Sequence, residues 1–184
     1  ASRCSKRIKI MDSTKSYVTV YNVNMQEAED FEFSFSVDES DLLSELVPDV
    51  DDWGKLAWGI ELEEYEYNPH QEKMHLTVDT KWESPVEWLR NASLGALCFE
   101  NKLITMSTIQ KDETVVHGVA VMDGDVLQNK EIWSMELEEV GKYYNDDELE
   151  YELDSLDNQI WDSIANFRNV CEQFYLGKGN EEND

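Results

Sequence analysis

The chain is poor in positive charge. Its 184 residues hold 15 Lys and Arg against 41 Asp and Glu, a formal net charge of −26. DNA, RNA and anionic membranes are polyanions, so direct binding to any of them is excluded as a leading function. Cysteine is also scarce: Cys4, Cys98 and Cys171 are odd in number and widely spaced. That pattern fits free thiols in a reducing cytoplasm rather than a disulfide framework. No apolar run approaches the roughly 18 residues that a membrane-spanning helix requires. The segment Ala1 to Ile10 is basic but has no apolar stretch, so no secretory signal is expected there.

Catalytic signatures are missing as well. The chain contains no G-x-S-x-G, no phosphate-cradling loop and no H-E-x-x-H. His70, His75 and His117 share no metal-ligand spacing with one another or with the cysteines. Asp49-x-Asp51-x-x-Gly54 starts like a calcium loop. The fifth and twelfth positions, which need oxygen ligands, are Trp53 and Ile60, so the segment reads as an acidic turn. Acids are so abundant that no carboxylate pair stands out as catalytic. No enzyme activity, cofactor or metal is expected. No internal repeat or low-complexity segment is visible.

Apolar material is nevertheless ample. Hydrophobic residues make up 41%, with 6 Trp, 8 Tyr and 6 Phe, enough for a folded core. The charge is segregated. Residues 1–15 are basic, net +4, and residues 67–130 are nearly neutral, net −3. Two acidic blocks flank that middle: residues 26–66 at net −14 and residues 131–184 at net −13. Like-charge blocks of this size cost stability through self-repulsion, and ordinary solubility needs a net charge of only about −2 to −8. The excess points to a basic protein or a cation as partner, or to a halophilic host.

Periodicity predicts both strands and helices along the chain. Tyr17 to Val23 is rich in β-branched and aromatic residues, as a strand is. Phe31 to Val37 (FEFSFSV) alternates and predicts a half-buried strand. Ser40 to Leu46 predicts a short helix stopped by Pro48. Ile60 to Tyr67 alternates with a slip of phase at Glu63–Glu64, and Lys73 to Asp79 returns after the turn Asn68–Gln71, so 60–79 reads as a hairpin. Ser84, Pro85 and Glu87 announce a helix to about Leu94, with Ser84 as its cap. Leu103 to Ile109, Val115 to Met122 and Val126 to Glu138 are further strands, with Asp123-Gly124 as a hairpin turn. From about Asn145 the period becomes helical. Leu149, Leu153, Leu156, Ile160, Ile164, Phe167 and Cys171 form one apolar stripe. Asp147, Glu150, Asp154 and Asp157 follow another face, and Gly177 and Gly179 end the helix.

Several of these residues resemble a known pattern. Trp53-Gly54 with Trp58, the run Val78-Asp79-Thr80-Lys81-Trp82-Glu83-Ser84-Pro85, and His117-Gly118 within Val115 to Met122 resemble the YubB ferredoxin-like domain family of phages and plasmids. The opening Cys4-Ser5-Lys6-Arg7-Ile8-Lys9-Ile10 is similar to that family's first strand; the family's second proline in the strand-to-helix junction is Val86 here. The resemblance spans about residues 4–127. It implies a ferredoxin-like antiparallel sheet with helices on one face, an origin in a phage or mobile element, and no established enzyme activity. It supplies no catalytic residues. The expected organisation is a ferredoxin-like α+β domain over 1–140, a long acidic C-terminal helix over 141–176 that packs on or extends from it, and a mobile tail over 177–184.

On a helix, carboxylates every three or four residues stand about 5 Å apart along the axis, the same order as the charge spacing of a nucleic-acid strand. The helical acids Asp147, Glu150, Asp154 and Asp157 and the acids of the first block (Asp51, Asp52, Glu61, Glu63 and Glu64) therefore form a candidate DNA-like field. Trp161, beside but off the centre of the apolar stripe, and Tyr144 are candidate aromatic anchors. The expectation is a cytoplasmic inhibitor from a phage or mobile element. It would bind a basic, nucleic-acid-handling host protein of the restriction, CRISPR or transcription machinery. The alternative is a structural or assembly module, possibly a homodimer, that uses a free sheet edge and the helical stripe.

Overall fold

The computed structural model describes residues 14–37, 61–80, 85–94, 99–109, 115–136, 138–139 and 149–177. The elements in chain order are β1 (Thr14–Tyr21), α1 (Met25–Val37), β2 (Glu61–Asn68), β3 (Lys73–Thr80), α2 (Val86–Ala92), β4 (Ile104–Ile109), β5 (Val115–Met122), β6 (Asp125–Ser134) and α3 (Leu149–Cys171). The six strands form one sheet in the order β2-β3-β1-β4-β5-β6, with every neighbouring pair antiparallel. This is an α+β fold, and its six-stranded order is not that of a simple ferredoxin-like sheet.

The sheet is buried on both faces, because side chains alternate across it. Val18 and Val20 of β1, Met74, Leu76 and Val78 of β3, and Ile104 and Met106 of β4 form the first core with α1 and α2. Trp88, Leu89 and Ala92 bury α2 there. The opposite face receives α3. Leu156, Ile160 and Ile164 pack on Ile109 and Val116, while Phe167 and Cys171 pack with Tyr21, Leu103 and Ala120. From Leu156 to Cys171 the apolar stripe read from the sequence therefore docks on the sheet. Helices α1 and α2 share one face, and α3 takes the other. The reason is local to β1 and β4: Tyr17, Tyr21 and Ile109 make the second face apolar too.

Gly118 makes room for this docking. A Cβ there would lie 2.9 Å from both Phe167 Cζ and Ile132 Cγ2, so only glycine lets the Phe167 ring seat on β5. A single π-helical turn, Glu172–Leu176, follows α3 and ends at Gly177, whose φ of 67° is left-handed.

The expected strand Phe31–Val37 is instead the C-terminal half of α1. Its start is fixed upstream by a capping box: Asn24 Oδ1 accepts from the Glu27 amide at 2.8 Å, and Glu27 Oε1 accepts from the Asn24 amide at 3.1 Å. On a helix Phe31 is buried while Phe33 is 72% exposed, so the alternating phenylalanines do not share a face. Ala28 and Phe31, three apart, are the residues that meet the sheet. The first strand ends at Tyr21 rather than Val23, because Asn22 turns the chain at a φ of 60°. The cap position of α2 is held by Pro85, one residue after the predicted Ser84, and makes no side-chain cap bond.

The hairpin, its turn and the phase slip are all present. β2 pairs with β3, and the register shifts between Leu62 and Glu64. Asn68 Oδ1 closes the turn by accepting from the amides of His70 and Gln71. At Asp123-Gly124 both residues have positive φ, as a two-residue hairpin loop between β5 and β6 requires. The segment 40–46, the calcium-like loop at 49–54, Trp53, Trp58, Trp82, Cys4, Cys98, Asn145 and the tail beyond Gly177 lie outside the described residues.

Candidate functional site

The two faces of the sheet are not covered equally. On its own face α3 lies over β4, β5 and β6. The surface of β3 and β2 beyond it stays open and forms one wall of a cleft of about 890 Å³. Residues of β1 and β3 with odd numbers line its floor, since Met74, Leu76 and Val78 point to the other core. Tyr17, His75 and Thr77 stand there. The helix side is made by Trp161 and Arg168, seven residues apart and so on one side of α3. The outer side is the edge strand β2, with Glu63, Glu64 and Glu66.

The β-bulge in β2 explains three glutamates in one place. Leu62 lies opposite Val78 and Glu64 opposite Thr77, so Glu63 is the extra residue. Tyr65 and Tyr67 stay on the first core, where their hydroxyls donate to the backbone carbonyls of Ala28 and Val23. Glu63 meanwhile turns to the cleft side, and both its oxygens lie 2.9 Å from Lys15 Nζ. Burial works against the Lys15 charge, but the hydrogen bond and attraction of Glu63, with a smaller pull from Asp79, leave its pKa raised. Glu64 and Glu66 are exposed. On the other side of the sheet α1 lies above β2, with Phe31 stacked on Tyr65 at 5.4 Å. Its exposed Glu29, Asp30 and Glu32 therefore belong to the same border of the molecule.

Trp161 is 43% exposed and meets Tyr17 edge to face at 4.6 Å. Arg168 is the unusual member. Its Nε is buried without a hydrogen-bond partner. Desolvation lowers its pKa, and the groups that oppose this are the hydroxyls of Tyr21 and Tyr17, not a carboxylate. Glu172, one turn further on, is taken by Lys73 at 2.7 Å. His75 hydrogen-bonds Thr19 at 2.9 Å; burial, then Arg168, lowers its pKa. Tyr21 is pushed up to about 12 by burial.

Of the candidate residues, Trp161, Glu63 and Glu64 meet at this cleft. Asp157 lies one turn before Trp161 on α3. Glu61 begins β2, opposite Asp79 in register, and Glu150 and Asp154 fall in the first turns of α3. Asp51, Asp52, Tyr144 and Asp147 lie outside the described residues. Tyr17, His75 and Arg168 were not singled out for a site. His75 falls out of phase with Met74 and Leu76, and Arg168 is the one cation within α3; these were the available signals. Among the described residues, no group of three His, Cys, Asp or Glu is placed to hold a metal ion, and no helix is long and apolar enough to cross a membrane. Comparison with protein-family models, curated proteins and solved structures gave no match.

Proposed function

We propose that the chain is a non-enzymatic acidic inhibitor, encoded by a phage or mobile element, that occupies the nucleic-acid site of a basic host protein in the cytoplasm. The observation that carries this reading is the bulged edge strand: Glu63, Glu64 and Glu66 line one side of the cleft whose opposite side carries the exposed ring of Trp161. Closely spaced carboxylates supply fast, salt-sensitive encounter with a cationic groove. An aromatic anchor next to them supplies apolar contact once water leaves. The acids of α1, around the same edge, broaden the field.

The ferredoxin-like reading of the fold, and with it the family resemblance, draws support from the first four strands. They follow a β-α-β-β-α-β order in the chain and lie in the spatial order β2-β3-β1-β4, with α1 and α2 on one face. β5, β6 and α3 are additions to that unit.

The test is competition. Purified restriction complexes, CRISPR effectors and RNA polymerase are titrated with the chain in the presence of duplex DNA. The reading expects one of them to bind it, DNA to displace it, and the triple variant Glu63→Gln, Glu64→Gln, Glu66→Gln to bind at least ten-fold more weakly. A bound partner indifferent to DNA would instead favour an assembly module.

A further inference from the structure

The cleft holds a charge that the acidic-surface reading does not use. In a chain with 41 acids, Arg168 is set into the sheet-facing side of α3 with no carboxylate partner among the described residues and with its Nε buried and unbonded. Arg168 is partly buried, and a partly desolvated guanidinium without a counter-ion carries a cost that an anion would relieve. Its planar donor fork fits an oxyanion in two-point contact. It lines an open cleft of about 890 Å³, within the range of small-molecule sites.

The surroundings narrow the ligand. Tyr17 and Trp161, 4.6 Å apart at 64°, give the same cleft two aromatic walls against which a flat ring can pack. Lys15 does not compete for the anion, since Glu63 holds it. Glu64 and Glu66 on the rim repel additional negative charge. They disfavour phosphate monoesters, nucleotides and polyanions and leave a single charge as the acceptable one. The geometry points to a binding site for a small aromatic monocarboxylate, with its carboxylate on Arg168 and its ring packed against the Tyr17–Trp161 pair.

The experiment is isothermal titration calorimetry of the full chain with phenylacetate and 1-naphthoate, against neutral phenylacetamide and inorganic phosphate. Saturable binding of at least one carboxylate is expected, with at least ten-fold weaker binding of phenylacetamide and phosphate. Arg168→Met removes the uncompensated charge, so it abolishes carboxylate binding and raises Tm. Should Arg168→Met not fold, Trp161→Ala, at an exposed wall, gives the second reading and is expected to weaken binding at least five-fold. The variant Glu64→Gln, Glu66→Gln binds the carboxylate as well as or better than the parent while losing affinity for a basic protein partner, so the two readings fail separately. Absence of saturable binding by either carboxylate, or equal binding of phenylacetamide, overturns the assignment.

Discussion

At the scale of single residues, three positions connect the packing to measurable behaviour. Gly118→Ala places a methyl 2.9 Å from Phe167 and Ile132. Overpacking of this kind costs about 1–3 kcal/mol, and chemical denaturation should show a lower midpoint with an unchanged slope. Phe167→Ala, which empties the same contact, is expected to cost about 3–5 kcal/mol. The third position is Tyr21, with Cys171 beside it. Burial raises the Tyr21 hydroxyl from 10.0 to about 12 and the Cys171 thiol from 9.0 to about 11. The folded state therefore holds these protons more tightly than the unfolded chain. Their stabilising effect is complete below pH 9 and is lost as pH rises from about 9 to about 12. Melting curves should show Tm falling across that window, and Tyr21→Phe should flatten the fall. A Tm that is constant there would contradict the burial of both groups. Sequence reasoning found Trp161 because it sits off the apolar stripe. It did not find Tyr17 or Arg168 as partners, because residues 17, 75 and 168 are joined only by the strand register and by the seating of α3.

At the scale of elements, the bulge and the long helix were legible, and α1 was not. A break in alternation at Glu63–Glu64 is a direct record of an extra residue in a strand, and the register shift between Leu62 and Glu64 is its structural form. The extra residue makes a sharp prediction. Deleting Glu63 should restore regular pairing with Tyr65 and Tyr67 still on the core, at a loss of about 1 kcal/mol or less, the worth of an exposed ion pair. A deletion that unfolds the chain, seen by circular dichroism, would contradict a one-residue bulge at this point of β2. The run FEFSFSV misled because seven residues of alternating phenylalanine satisfy a strand period, while the deciding signal, Asn24 with Glu27, lies upstream of the run. The period of α3 extends over about six turns and admits one reading. Ile164, fully buried under it, tests the docking: Ile164→Asp should release α3 from the sheet and expose β4 and β5 amides to hydrogen exchange.

At the scale of the whole molecule, the sequence discloses how much charge there is but not its arrangement. The first acidic block is divided by the fold. Part of it lies on α1 and part on β2, on opposite faces of the sheet but around one edge. No count of charges could have foreseen that, since it depends on β2 being the outermost strand. Crowding these groups costs stability that salt relieves. Between 0.01 and 1 M salt the screening length falls from about 30 Å to about 3 Å, so Tm should rise by several degrees over that range. The same groups carry the proposed function, in which the Glu63, Glu64 and Glu66 border competes with nucleic acid. The most direct measurement is the salt dependence of affinity for a purified nucleic-acid-handling partner, with and without duplex DNA as competitor. Affinity is expected to fall steeply with rising salt, and DNA to displace the chain. An affinity that stays flat with salt, in a complex that DNA leaves intact, would contradict the proposed function.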